Sequence, residues 1–186
     1  MGTRHLTIVK KDGKIKIAQY GQWDGYPEGA GKEILSFCRN HLATAEGRES
    51  FATQLDKCRF LTENEIDLIN ELIDKDEMLS RYDPKTYRAN WTKRWPELSR
   101  DTGNNVLEMV LESENGLGLA DQFEFIHDHV FCEWAWMIDL DERIFGNVVG
   151  VESTNRDPYY FAHGWDLNYL PTDEQFLSVY TDEEEE

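Results

Sequence analysis

The sequence predicts an α+β fold: an antiparallel sheet built from an N-terminal and a central β-hairpin, helices packed on it, and a helical insertion over about 49–100. Three observations predict it. Asp12-Gly13 separates two β-prone runs, and Asp-Gly supplies the positive φ that a two-residue type I′ hairpin turn requires. Residues 130–149 (VFCEWAWMIDLDERIFGNVV) form two apolar runs either side of a polar turn at 139–143. Between the hairpins, Thr62 with Glu65 three residues on makes a capping box that opens a run of helical periodicity.

If Asp12 and Gly13 alone form the first loop, Lys11 faces Lys14, Lys10 faces Ile15, Val9 faces Lys16 and Ile8 faces Ile17. Thr7, Leu6 and His5 then face Ala18, Gln19 and Tyr20. The two-residue period of a strand puts Leu6, Ile8, Ile15 and Ile17 on one face, the core face, and His5, Thr7, Val9, Ala18 and Tyr20 on the other.

The loop that follows, GQWDGYPEGAG over 21–31, holds four glycines, one proline and two large aromatics, and it leads into a helix over 32–41 with Ile34, Leu35, Phe37 and Cys38 inward. A Gly-rich strand-to-helix turn can present backbone N–H groups to an anion. The spacing is neither G-x-G-x-x-G nor a P-loop. The simpler reading is a rigid plug, with Trp23 and Tyr26 closing the sheet edge and Asp24 capping.

Residues 43–48 read as a linker, and 49–59 as a short helix with Phe51, Leu55 and Cys58 inward. The capped helix after Thr62 carries Ile66, Leu68, Ile69, Leu72, Ile73 and Leu79 in one stripe, with acids opposite, and reads as scaffold. Residues 80–100 depart from the rest of the chain, with six bases against two acids, a local +4. A helix from Pro84 would align Tyr87, Trp91 and Trp95 beside Arg88 and Arg94. Aromatics with arginines suit an anionic, base-bearing ligand, and equally they can be a core stripe flanked by solvated cations.

A turn over 102–105, an apolar run over 106–111, a loop to 118 and a helix over 119–128 lead to the second hairpin. Both faces of 131–140 are largely apolar, which places that strand centrally in the sheet. Residues 151–157 read as loop, 159–169 as an aromatic-rich stretch of undecided structure, 173–179 as a short helix and 182–186 as a solvated acidic tail.

The chain has 186 residues, 40% hydrophobic and 12% aromatic, enough for one domain with a sizeable core. No apolar run is long enough to span a membrane and no leader pattern opens the chain, so a cytoplasmic protein without membrane association is expected. Three cysteines without CxxC spacing fit a reducing compartment, as small core residues. With 37 acids against 19 bases the net charge is −18. Such a field disfavours direct nucleic-acid binding and favours a basic partner surface, and it also serves solubility alone.

No catalytic constellation is evident. His127-Asp128-His129 invites a metal only if the stretch is a strand, because successive helical positions turn the two rings apart. An N-terminal nucleophile would need Cys, Ser or Thr first, and removing Met1 leaves Gly2, with Thr3 one place too far in. G-x-S-x-G is absent and no cysteine is paired with a histidine in sequence. No cofactor or metal is expected.

Three segments, Gly2-Thr3-Arg4-His5-Leu6, Tyr20-Gly21-Gln22-Trp23-Asp24-Gly25-Tyr26-Pro27 and Phe131-Cys132-Glu133-Trp134-Ala135-Trp136-Met137-Ile138-Asp139-Leu140-Asp141, resemble a functionally uncharacterised family of small proteins from phage and bacterial genomes, with looser relatives in fungi. The match covers the first thirty residues and one central hairpin, whose second strand departs at Gly146-Asn147. The resemblance implies a shared α+β core and brings no activity or catalytic residue.

Two functional expectations follow. One is an acidic interaction protein, of the phage-inhibitor type, that engages a basic nucleic-acid-binding host protein. The other is a small-ligand protein that sequesters or hydrolyses an anionic nucleotide-like molecule, with Arg4, His5, Tyr20, Trp23, Asp24 and Tyr26 joined by Arg88, Trp91 and Arg94. The second requires both segments to line one pocket.

Overall fold

A computed structural model of the chain describes residues 2–151 and 158–181. The expected acidic tail at 182–186 and most of the expected loop at 151–157 lie outside the described residues. The elements are β1 (His5–Lys11), β2 (Lys14–Gly21), α1 (Lys32–Phe37), α2 (Ala45–Leu55), β3 (Arg59–Phe60), α3 (Glu63–Lys75), α4 (Glu77–Ser80), α5 (Val106–Glu112), β4 (Gly118–Leu119), β5 (Trp134–Asp139), β6 (Ile144–Gly150), β7 (Tyr159–Asp166) and α6 (Asp173–Thr181).

The α+β class is as predicted. The five-stranded sheet has the order β2-β1-β5-β6-β7, and β3-β4 form a separate two-stranded ribbon. One pairing in the large sheet is not antiparallel: β1 lies parallel to β5, His5 beside Trp134 and Val9 beside Ile138. The hairpins therefore join side by side, with the helical middle of the chain as the crossover between them. β5 is the central strand, as its two apolar faces require. The aromatic stretch left undecided by the sequence is β7, paired to β6.

The first hairpin has the expected Asp12-Gly13 turn, both residues at positive φ, and the carboxylate of Asp141 accepts from the Asp12 and Gly13 amides at 2.7 and 2.8 Å. Its register differs from expectation beyond Ile15. Lys16 is a bulge residue, so Val9 pairs with Ile17, Ile8 with Ala18, Leu6 with Tyr20 and His5 with Gly21. One extra residue reverses the facing of everything after it. Ile17 accordingly joins Val9, not Ile8.

Two cores result. On one face Val9, Ile17, Trp136, Ile138 and Phe145 meet Ile34, Leu35 and Phe37 of α1, Phe51 and Leu55 of α2, Val106, Leu107 and Val110 of α5, and Phe176 of α6. On the other, Leu6, Ile8, Ala135, Met137 and Val148 meet Ile126 from a short 3₁₀ turn at Phe123–His127. That turn stands where a longer helix over 119–128 was expected, because the chain first forms β4 and Asp121 then caps the Phe123 amide at 3.1 Å.

The middle of the chain divides. Phe51 and Leu55 are in the main core, whereas no residue from 59 to 98 is buried. The capping box at Thr62 and Glu65 is present. No helix runs from Pro84: Tyr87 has φ 55, and short 3₁₀ turns occupy Asn90–Lys93 and Pro96–Leu98. A tyrosine in the left-handed region cannot continue an α-helix, so Tyr87, Trp91 and Trp95 form no common stripe. No helix among the described residues is long and apolar enough to cross a membrane.

Candidate functional site

β1 and β5 begin at the same end of the sheet, opposite the Asp12-Gly13 turn, and β2 ends there. The Gly-rich loop leaves β2 at this end and is clamped on every side. The Gln22 amide donates to the Arg100 carbonyl at 3.0 Å, the Gly25 amide to Thr3 at 2.9 Å and the Ala30 amide to the Asp24 carbonyl at 2.7 Å. The indole of buried Trp136 donates to the Gly25 carbonyl at 2.8 Å. Gln19 reaches the Ser99 carbonyl from below at 3.4 Å. The loop thus lies fixed against 99–105, a segment eighty residues further along the chain.

Between the two lies a cleft of about 290 Å³, lined by His5, Trp23, Asp24, Glu33, Arg88 and Asp101, with Gln22 and the 102–105 turn completing its wall. Asp101 joins the walls. Its carboxylate accepts from the Trp23 indole at 3.0 Å, and its other oxygen is 3.5 Å from Arg88 Nε. Glu33, in the first turn of α1, accepts from the Asn104 side chain at 2.8 Å. Asp24 sits at φ 53, a region that Asp tolerates better than most side chains, and Tyr26 donates to its carboxylate at 3.3 Å. The Asp24 charge holds the Tyr26 hydroxyl above its ordinary pKa.

His5 lines this cleft with 2% of its surface exposed. It is enclosed by three glycines. A Cβ at Gly25 would lie 2.7 Å from His5 Cβ, one at Gly103 3.1 Å from Nε2, and one at Gly21 would enter the ring itself. Gly103 also has φ +47, where a side chain is strained. Neither ring nitrogen makes a hydrogen bond of good geometry within the protein, although the Trp23 backbone lies within reach of the ring. Burial lowers its pKa from 6.5 to about 4, and the charge of Asp24 and the nearby Trp23 backbone offset only part of that shift. The ring is therefore neutral near pH 7, one nitrogen a donor and the other an acceptor.

The nine residues singled out from the sequence do not form one site. His5, Trp23, Asp24 and Arg88 meet in the cleft, so the two chain segments do come together, through Arg88 alone. Arg4 and Tyr20 line a separate, open cleft with Phe125, Asp128 and Phe131. Adjacent strand positions face opposite sides of the sheet, which separates Arg4 from His5 and Tyr20 from Gly21. In that second cleft Arg4 stacks on Phe131 at 4.6 Å and Tyr20 packs edge-on to Phe125 at 4.9 Å. Trp91 and Arg94 line neither cleft, and the Arg94 guanidinium lies 4.5 Å over Trp95 instead. Tyr26 reaches the site only through Asp24. Glu33, Asp101 and the 102–105 turn were missed. The run Asp101-Thr102-Gly103-Asn104-Asn105 is a legible turn, but nothing in it says which surface it closes.

Among the described residues no group of three or more His, Cys, Asp or Glu is arranged to hold a metal ion. The thiols are poor nucleophiles at neutral pH, since burial pushes Cys38 and Cys58 up and Cys132 up to about 12. Compared with protein-family models, with curated proteins and with solved structures, the chain matches none of them.

Proposed function

We propose that the chain is a binding protein that captures a small polar molecule, neutral or positively charged, in the His5 cleft. The observation that carries this reading is the preformed cleft itself, in which Trp23, Asp24, Glu33, Arg88 and Asp101 converge over the buried His5 ring. The cleft is at the small end of ligand pockets, roughly 300–1,000 Å³, which suits a metabolite-sized molecule.

Electrostatics selects the ligand class. Asp24, Glu33 and Asp101 stand against Arg88, which Asp101 already faces, and the whole chain carries −18. An amine or a neutral polyol fits that lining better than the anionic, nucleotide-like molecule that the arginines and aromatics of 80–100 called for. Sequestration fits better than hydrolysis. A general base works best with a pKa near the operating pH, and a buried ring at about 4 is poorly matched to that role.

The test is a thermal-shift panel of small amines (putrescine, agmatine, amino-acid amides) beside nucleoside monophosphates, on the wild type and on Asp101→Asn. Binding at a hundredfold excess over Kd adds about 2.7 kcal/mol of stability, a shift of several degrees. Amines should raise Tm in the wild type and do so less in the variant. A shift from nucleotides alone would return the site to the anionic reading, and no shift from any member, with native mass spectrometry showing no retained small mass in protein from its own cells, would remove it.

A further inference from the structure

An apolar ridge bordered by carboxylates runs along α3 and α4. Leu68 and Leu72, one helical turn apart, are 59% and 50% exposed, and Met78 is 65% exposed. Tyr82, just beyond, is also exposed. Ile69, on the inner side of the same stripe, lines a cleft of about 330 Å³ with Leu61, Trp95 and Leu117. An amphipathic helix ordinarily buries its apolar stripe, yet no residue of α3 or α4 is buried. What stabilises α3 is local: its capping box, the Arg59–Glu65 pair and the Lys75–Glu71 pair one turn apart. The helix is formed, and the outer side of its apolar stripe, at Leu68 and Leu72, is uncovered. Clustered exposed apolar side chains of this kind mark an interaction surface.

Charge identifies what covers it. Residues 62–83 hold eight acids against two bases. Glu63, Asp67, Asp74 and Glu77 form no ion pair among the described residues. A second copy of this chain would bring the same carboxylates against these and be repelled. A helix with apolar residues on one side and Lys or Arg on the other places its apolar side on Leu68, Leu72 and Met78 and its cations beside the flanking acids. We propose that α3 and α4 form the docking face for a lysine- or arginine-rich amphipathic helix of a partner protein. This gives the basic partner expected from the net charge a place on the molecule. It shares no residue with the His5 cleft.

The experiment is fluorescence anisotropy with a labelled Leu/Lys amphipathic helical peptide, beside a scrambled peptide of the same composition. The variant is Leu68→Ser with Leu72→Ser, its fold checked by circular dichroism. The amphipathic peptide should bind the wild type at least about tenfold more tightly than the scrambled one. The double variant should lose about the same factor, and added salt should weaken the wild-type complex. Hydrogen exchange on the wild type, which needs no variant, should show peptide-dependent protection confined to 63–80. Equal affinity for both peptides, no loss in the double variant, or protection elsewhere would overturn the proposal. So would a wild-type dimer in sedimentation that the double variant abolishes, because the occupant would then be a second copy.

Discussion

His5 is held chiefly by shape. Gly21, Gly25 and Gly103 leave no volume beside it for a Cβ, so Gly21→Ala should destabilise the fold by about 1–3 kcal/mol through overpacking. Urea unfolding reads that change, and a neutral result would mean that the ring can swing aside. The same burial has a pH signature. His5 titrates at 6.5 when unfolded and at about 4 when folded, so between those values the unfolded chain binds more protons than the folded one. The contribution of His5 is complete above pH 6.5 and is lost as pH falls toward 4, by about 3 kcal/mol in all. Carboxylates held below their ordinary range, such as Asp56 through Lys11 and Asp173 through Arg39, lose their contributions only below about pH 4. Unfolding free energies measured from pH 7 to 4.5 should therefore slope in the wild type and flatten in His5→Gln. His5 itself was legible as a site residue from its place at the end of a hairpin beside a Gly-rich loop. Its close enclosure was not, because that depends on Gly103, nearly a hundred residues away.

Among the elements, the first hairpin shows how much rests on one residue. The turn is a local matter of φ at Asp12 and Gly13, and the sequence carries it. The bulge at Lys16 leaves no mark in the alternation of Ile15-Lys16-Ile17, which reads equally well as a regular strand. Regular pairing would send Ile15 and Ile17 to the same face, whereas each of the two cores takes one of them. Deleting Lys16 removes the bulge and keeps Ile17 beside Val9, so the fold should tolerate it. Deleting Ala18 instead swings Gln19 and Gly21 away from Thr7 and His5 and should abolish cooperative melting. Comparable melting curves for the two deletions would refute the register. α3 makes the opposite case: its capping box is local and present, its stripe, expected to run on to Leu79, is cut at Asp76 where α4 begins, and none of its residues is buried, because amphipathicity says which face is apolar and not what covers it. Thr62→Ala should cost the helix about 1 kcal/mol. With nothing buried in α3, the loss should appear as faster exchange of its amides while global Tm stays nearly constant.

Across the whole molecule, Trp136 connects core and site. Its ring packs with Trp134 at 5.6 Å, Phe176 at 5.8 Å and Phe145 at 6.0 Å, and its indole N–H holds the Gly25 carbonyl of the site loop. Trp136→Leu should cost at least about 3 kcal/mol through the cavity and also release the loop. Amine affinity, read by isothermal calorimetry at a temperature where the variant is fully folded, should then weaken. Retained ligand response would mean that the clamps at Thr3 and Arg100 suffice. α6 belongs to the same cluster, with Phe176 also 4.9 Å from Trp165. Its place over β5 and β6 is a long-range contact that no local pattern announces.

From the sequence alone came the α+β class, the two hairpin turns, the central strand, the capped helix and the segment that bears the loop, all governed by interactions between residues a few positions apart. The tertiary structure decided the parallel pairing of β1 with β5, the bulge at Lys16, the placing of four of the nine candidate residues in one cleft, two in another and three in neither, and the presence of Glu33 and Asp101 in the first cleft. Each of these depends on contacts between segments distant in sequence. Such contacts are chosen by which apolar surfaces fit and which backbone groups are left to pair, a competition settled by the whole chain and not by any window of it.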